Sequence, residues 1–231
     1  MEKPDRLNIA IGFDSRETLA YHIACNSIIS KASVPVSIMP IKRSLLKGLH
    51  SRPLDHKQSN EFSFTRFLTP YLYNYKGYSI FMDSDMLVRC DLTDIFTYIN
   101  PENYVSVVKH DYIPKDDIKY LNNKQYKYQK KNWSSVMVFN NEKCTALTPE
   151  YVNSASGLDL HQFKWLPDDS LIGSLPFEFN HLVSEYEANQ DAKIVHYTIG
   201  IPEWYKGCEY ADEWHIEKHR VNYVEEWKND V

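Results

Sequence analysis

Two aspartates one residue apart interrupt an otherwise core-like run, "YSIFMDSDMLV", from Tyr78 to Val88. A buried carboxylate is costly unless something compensates its charge. Residues i and i+2 of a strand face the same way, so Asp83 and Asp85 can aim two carboxylates at one point. Two anions that close repel unless a cation sits beside them. The spacing suits a divalent ion held by carboxylates together with phosphate oxygens. A third donor candidate is His196, which closes the short apolar run "KIVH". Imidazole joins carboxylates well at Mn²⁺ and similar ions, and ligands of open α/β sheets bind at the carboxyl ends of the strands. The plainer reading is that one aspartate caps a loop, the other is solvated and the histidine is structural. A cation at such a point would neutralise charge on a departing nucleoside diphosphate.

The elements around these residues read as α/β. "LNIAIGFD" (Leu7–Asp14) is a short buried strand closed by Gly12. Ser15 is placed to cap the helix that follows, with Glu17 and Thr18 in its first turn and an end near Lys31. Val34–Ile41 is a second strand, and strand–helix–strand opens an α/β sandwich. Phe62–Tyr75 returns to helical spacing, with Pro70 at a kink or a start. Tyr78–Met82 is the strand before the aspartates. Asp91–Ile99 reads as a capped helix, Tyr104–His110 and Ser134–Asn140 as strands, and 148–175 as short helical segments. Lys193–Gly200 is a last strand, and Trp214–Trp227 a charged helix. Repeats and linkers are missing from the chain, so residues 1–231 read as one domain.

The composition narrows the function class. With 231 residues, 43% hydrophobic and 25% charged, the chain is an ordinary globular one. A net charge of −5 argues against a nucleic-acid binder. The 17 Tyr, 10 Phe and 5 Trp residues suit a core and also a site for flat or sugar-like ligands. Lys124, Lys127, Lys130 and Lys131 interleave with Tyr126, Tyr128 and Trp133, as a solvated loop or as a rim that attracts an anion. Cys25, Cys90, Cys144 and Cys208 form no CxxC pair, which disfavours a zinc ribbon or redox dithiol and fits reduced thiols. The sequence contains no transmembrane segment and no signal-peptide core, so the expected location is cytoplasmic.

The ordered set "GFDSRETLAYH", "EFSFTRFLTPYL", "FMDSDMLV", "KNWSSVMVFN", "LPDDSLIGSLPFEFN" and "HYTIGIPEW" resembles the GT-A fold nucleotide-sugar glycosyltransferases, most of all family 8, which includes glycogenin and lipopolysaccharide galactosyltransferases, in a bacterial or phage branch. The resemblance covers residues 7 to 215. It implies a Rossmann-like mixed central sheet flanked by helices. Residues up to about 90 would form the nucleotide-binding half, and about 91–231 the sugar and acceptor half. It also implies Mn²⁺ or Mg²⁺ on Asp83, Asp85 and His196, a UDP-sugar donor, and a glycan, lipid-linked or protein acceptor. Carried over motif by motif, Phe13, Asp14 and Arg16 would hold the base and ribose, with Phe13 offering a ring face and Asp14 an acceptor. Arg66 would lie near the nucleotide or pair with the aspartates. Asp83 would also touch the ribose or sugar, and Ser84 and Gly200 belong to the same donor-binding set. The family transfers hexoses with retention of configuration.

Three positions depart from the family pattern. The usual "NSG" is here Trp133, Ser134 and Ser135, so a sugar-recognising asparagine is missing and Trp133 would stack on the sugar. The "DQ" pair beside the reacting sugar aligns with Asp168 and Asp169, expected as catalytic or sugar-binding carboxylates; an N-cap after Pro167 is the structural alternative. A phosphate-binding lysine is absent, with Glu203 nearby; Lys206 or the Lys124–Lys131 segment would supply the charge. Two other functions fit parts of the sequence. One is a non-catalytic nucleotide-sugar or glycan binding module on the same fold. The other is a haloacid-dehalogenase-like phosphatase, whose aspartate motif normally opens the fold rather than following strand, helix and strand.

Overall fold

The computed structural model describes residues 1–54, 58–111 and 129–222. Lys124, Tyr126, Lys127, Tyr128 and Trp227, singled out above, lie outside the described residues. In chain order the elements are β1 (Leu7–Phe13), α1 (Thr18–Ile29), β2 (Val36–Lys42), α2 (Thr69–Leu72), β3 (Tyr78–Met82), β4 (Met86–Val88), β5 (Val105–Val107), β6 (Val136–Asn140), α3 (Pro149–Ser154), α4 (Gly157–His161), β7 (Ile172–Ser174), β8 (His181–Leu182), β9 (Ile194–His196) and α5 (Ala211–Asn222).

Six strands form a mixed sheet in the order β2-β1-β3-β6-β5-β7. The β1–β2, β1–β3 and β5–β7 pairs are parallel, while β6 runs antiparallel to both β3 and β5. A second sheet has the order β4-β9-β8. The six-stranded sheet is covered on both faces, and the period of two along its strands sorts the side chains. Ala10, Phe81, Met137 and Phe139 join one buried cluster with Phe62, Phe67 and Leu68. Ile9, Ile11, Ile80, Met82, Val136 and Val138 join the other, with Tyr21 and Ile28 of α1. A third cluster lies under the small sheet, where Leu87 and Val195 meet Ala20 and Ile23 of α1 and Trp214 of α5.

Several predicted elements are shorter than their sequence period suggests. Phe62–Tyr75 is not one helix: a 3-10 helix at Thr65–Leu68 runs into α2, with Pro70 in the first turn of α2, where its missing N–H leaves no helical bond unmade. Asp91–Ile99 is also 3-10, over Leu92–Tyr98, and the Asp91 carboxylate accepts from the Thr93 N–H as the expected cap. Ser15 does not cap α1. Its hydroxyl donates to Glu61, α1 starts at Thr18, and Glu17 occupies the cap position without a side-chain cap bond.

One close approach ties β1 to the segment before β3. A Cβ on Gly12 would fall within the ring of Phe62. Only the missing side chain lets that ring lie on the strand. Gly12→Ala is therefore expected to lower stability by about 1–3 kcal/mol through overpacking. An unchanged urea midpoint would show that the ring relocates without loss.

Candidate metal centre

The two aspartates sit where the chain leaves one sheet for the other. β3 ends at Met82 in the six-stranded sheet, and β4 begins at Met86 in the small one. Asp83–Ser84–Asp85 is the bend between them. Both ends of the bend are pinned by backbone bonds. The Asp83 N–H donates to the Ser135 carbonyl at 3.0 Å, and the Asp85 carbonyl accepts from Tyr197 N–H at 2.9 Å. Met86 pairs with His196 across β4 and β9, which brings the imidazole beside the bend. One ligand atom each from Asp83, Asp85 and His196 lies within 4.8 Å of the others.

Burial sharpens the electrostatics. Asp83 is 8% exposed and His196 3%. Asp83 follows the alternation of Phe81 and faces Arg66, whose guanidinium lies 2.8 Å from its carboxylate. Arg66 is itself 4% exposed. It stands over Phe62 and Phe81 at 5.2 and 5.1 Å from the ring centres and donates to the Ser134 carbonyl at 2.8 Å. Burial, and then the Arg66 charge, push His161 down to about 3. Glu17 reports the opposite sign. Burial, followed by the negative charge of Asp85 and Asp14, pushes its carboxyl up to about 9. The second of these causes is the Asp85 charge, which puts Glu17 within reach of the cluster's field. The donor set of two carboxylates and one imidazole fits a Mn²⁺-like ion. His196 Nε2 stands 3.3 Å from an Asp85 oxygen.

The expected donor-binding residues fall into two groups. Phe13 ends β1, half-buried, with its ring against Tyr21 at 5.1 Å and the Lys42 ammonium 4.8 Å from its centre. Asp14 is fully buried. Its oxygens accept from the Arg16 N–H, Nε and Nη2 and from the Glu61 N–H. That occupies the roughly four acceptor sites of a carboxylate. Asp14 thus fixes the loop and Arg16, whose Nη2 also reaches the Ser59 carbonyl. Burial alone would raise the Asp14 carboxyl, but the Arg16 and Glu61 hydrogen bonds outweigh it and hold it below the usual range. Ser84, between the two aspartates, and Thr198, two residues after His196, are buried, and neither hydroxyl has a hydrogen-bond partner among the described residues. Gly200 is buried in the turn after β9, its N–H on the Tyr197 carbonyl.

The second group lies on the 3-10 turn Trp133–Ser135 and beyond. Ser134 and Ser135 are buried and face the protein. The Ser134 hydroxyl meets His161 Nδ1 at 2.7 Å, and the Ser135 hydroxyl donates to the Asn132 carbonyl. Trp133 is half-buried, and its indole N–H donates to the His110 carbonyl. Lys109 and Lys130 lie 5.8 and 5.9 Å from its ring centre. Asp168 caps the 3-10 turn Asp169–Leu171 through the Ser170 N–H. Asp169 pairs with Lys130 at 2.6 Å. Both aspartates are exposed. Glu203 pairs with Lys218, and Lys206 is exposed. Glu17 and Asn180 were missed as site residues in the sequence. Glu17 was readable only as a first-turn acid, and Asn180 lies at the end of "LPFEFN" with no periodic signal.

A cleft of about 410 Å³ opens elsewhere, between the end of α1, β4 and α5, lined among others by Lys31, Arg89, Lys193, Glu213 and Arg220. It contains none of the cluster residues. Its charges are mixed and partly paired, as in Arg89–Glu213 at 2.8 Å. All four cysteines are free thiols. Among the described residues no helix is long and apolar enough to cross a membrane.

Comparison with known proteins places this geometry. No protein-family model matches the sequence. Protein CDI of Arabidopsis thaliana is 42% identical over 233 residues, covering 96% of this chain and 88% of that protein. The chain belongs to the Protein CDI family. Its relative is a plant protein, so the bacterial or phage branch expected from the motifs finds no support. Among solved structures, the bifunctional glycosyltransferase WbbM superposes with a TM-score of 0.64 at 15% identity, over 93% of this chain. This chain spans about half the length of WbbM, 50%. The galactosyltransferase LgtC, solved with donor and acceptor sugar analogs, gives 0.60 at 13% identity, over 95% of this chain and 98% of its own. GlyE of Streptococcus pneumoniae TIGR4 gives 0.59 at 13% identity, over 93% of this chain and 60% of its own. At such identities the likeness is one of fold: the family has the GT-A glycosyltransferase fold. The phosphatase alternative is set aside, because its aspartate-bearing strand opens a different topology.

Two tests follow from the charges. Removing Arg66 takes a buried counter-charge from the Asp83 carboxylate, so Arg66→Ala should cost about 3–5 kcal/mol in urea denaturation. A loss below about 1 kcal/mol, as for a surface pair, would mean the pairing is solvated. Glu17 binds its proton more tightly folded than unfolded, where its ordinary value is 4.5. Its stabilising contribution is thus complete below that value and lost as pH rises toward about 9. Chelator-treated protein should become less stable across this window, and Glu17→Gln should flatten the decline. Equal slopes for the two proteins would contradict the raised carboxyl.

Proposed function

We propose that this chain is a metal-dependent glycosyltransferase that moves a hexose from a UDP-sugar to an acceptor hydroxyl on a glycan, lipid-linked or protein partner, with retention of configuration. The observation that carries the reading is the Asp83, Asp85 and His196 cluster, with three ligand atoms within 4.8 Å, on a GT-A fold. Fold alone would not license a function, and the donor cluster is the site-level argument. We place the protein in the cytoplasm, in keeping with its free thiols.

Mn²⁺ or Mg²⁺ would be held by Asp83, Asp85 and His196. When bound, it would neutralise charge on the departing diphosphate. The rest of the chemistry falls to the chain. Arg66 holds Asp83 in place and balances one of the two carboxylates. The loop after β1, locked by Asp14 and Arg16, presents Phe13 to the base. Ser84 and Gly200 line the donor side, and the buried Thr198 hydroxyl, which has no partner among the described residues, is available to a phosphate oxygen. Trp133 offers a ring to the sugar. Asp168 and Asp169 stand on the acceptor side, where a carboxylate steadies oxocarbenium-like charge or a sugar hydroxyl.

A second reading, a binding module on the same fold, has one observation in its favour: Asp168 is engaged as a cap and Asp169 is paired with Lys130. The two readings separate by experiment. Calorimetry should find UDP binding that depends on Mn²⁺, and Asp85→Asn should weaken it by more than about 100-fold, beyond the loss typical of outer-shell changes. A screen of UDP-hexoses should then find one that the wild-type protein hydrolyses or transfers. Mn²⁺-dependent binding without turnover of any UDP-hexose would favour the binding module, and UDP binding indifferent to Mn²⁺ would sink the metal-dependent transferase.

A further inference from the structure

Asn180 lies at the end of a 3-10 turn, immediately before β8, and is completely buried. Its Oδ1 meets His196 Nδ1 at 3.0 Å. Its Nδ2 meets the Asn132 carbonyl at 3.2 Å and the Ser135 hydroxyl at 2.8 Å. The far side of the amide settles which end is which. A carbonyl oxygen can only accept. The Ser135 hydroxyl gives its hydrogen to that same Asn132 carbonyl at 2.6 Å, so toward Asn180 it too can only accept. Flipping the amide would set its oxygen against two acceptors in a buried place, where each lost bond costs about 1–3 kcal/mol. The amide nitrogen therefore faces Asn132 and Ser135, and the amide oxygen faces the imidazole.

The consequence passes to His196. An oxygen acceptor at Nδ1 requires a hydrogen there. A neutral imidazole with its hydrogen on Nδ1 has its lone pair on Nε2. Nε2 is the nitrogen that stands 3.3 Å from Asp85. We propose that Asn180 is a positioning residue that fixes His196 as the Nδ1–H tautomer, so that Nε2 presents a lone pair to a divalent cation shared with Asp83 and Asp85. The relay begins in the turn that replaces the family's sugar-recognising asparagine. Asn132, in the left-handed region at φ 61°, turns its carbonyl to both Ser135 and Asn180. Ser135, expected to bind the sugar, orients the His196 ring through Asn180. The cation part of this inference rests on the proposed function, whereas the tautomer does not.

The test uses the full chain, ¹⁵N-labelled at histidine. Long-range ¹H–¹⁵N spectra of the metal-free protein in mildly alkaline buffer should show His196 with its hydrogen on Nδ1. Asn180→Ala should turn that signal into a tautomer mixture. Titration with Mn²⁺ alone, followed by electron paramagnetic resonance, should show affinity falling about 10–100-fold in Asn180→Ala. Ser135→Ala, which removes one of the amide's two acceptors, should give a smaller loss and serves as a second variant if Asn180→Ala fails to fold. A hydrogen on Nε2 of the wild-type protein would overturn the proposal. So would an Asn180→Ala variant with unchanged tautomer and unchanged Mn²⁺ affinity. A tautomer that depends on Asn180 in a protein that does not bind Mn²⁺ would uphold the positioning role and defeat the metal reading instead.

Discussion

Two carboxylates and an imidazole are held together at the point where one sheet gives way to another. The rest of the molecule is organised around making that tolerable. A strand that simply continued would carry Asp83 and Asp85 into a covered layer, where unpaired anions are not stable. The chain bends instead, and each end of the bend is hydrogen-bonded to a different sheet, through Ser135 and Tyr197. This arrangement holds the bend backbone on both sides and leaves the side chains to converge.

Charge balance then reaches outward in layers. Arg66 compensates Asp83, and it is kept there by two aromatic faces and a backbone carbonyl. The Phe62 face is in turn admitted by the absence of a side chain at Gly12. A contact on β1 thus supports a charge at the end of the neighbouring strand β3. Burial first, and then the charge of Asp85, raise the neighbouring Glu17 carboxyl. Structural ion pairs also perturb acids. Here the perturbed group stands in the field of the three-donor cluster, which is the pattern of a ligand site.

The Trp133–Ser135 turn shows how one short segment can hold several parts of the cluster. Its Ser134 carbonyl holds Arg66, its Ser135 carbonyl holds the Asp83 N–H, and its Ser135 hydroxyl holds Asn180. One of these contacts reaches Asp83 directly, and the other two reach it and His196 through Arg66 and Asn180. On the sugar side, Trp133 stands with Lys109 and Lys130 around it.

The aspartate spacing, the apolar strands before it and the late histidine were legible in the residues alone, because strand alternation and the chemistry of ligands are local properties. So was the α/β class. Helix lengths were less so: Phe62–Tyr75 has helical spacing, yet a 3-10 turn replaces much of the helix where Arg66 meets Asp83 on the Phe81 face of the sheet. The roles of Asp14, Ser134, Ser135 and Glu17 were not legible. Each depends on a partner far along the chain or on burial, as with Asp14 and Glu61 or Ser135 and Asn180. Residue types and spacing decided that a set able to hold a cation was present. Only the meeting of β3, β4, β6 and β9 decided which carboxylate is compensated, which acid stays neutral and which nitrogen of His196 faces the site, since these follow from through-space charge and directed hydrogen bonds.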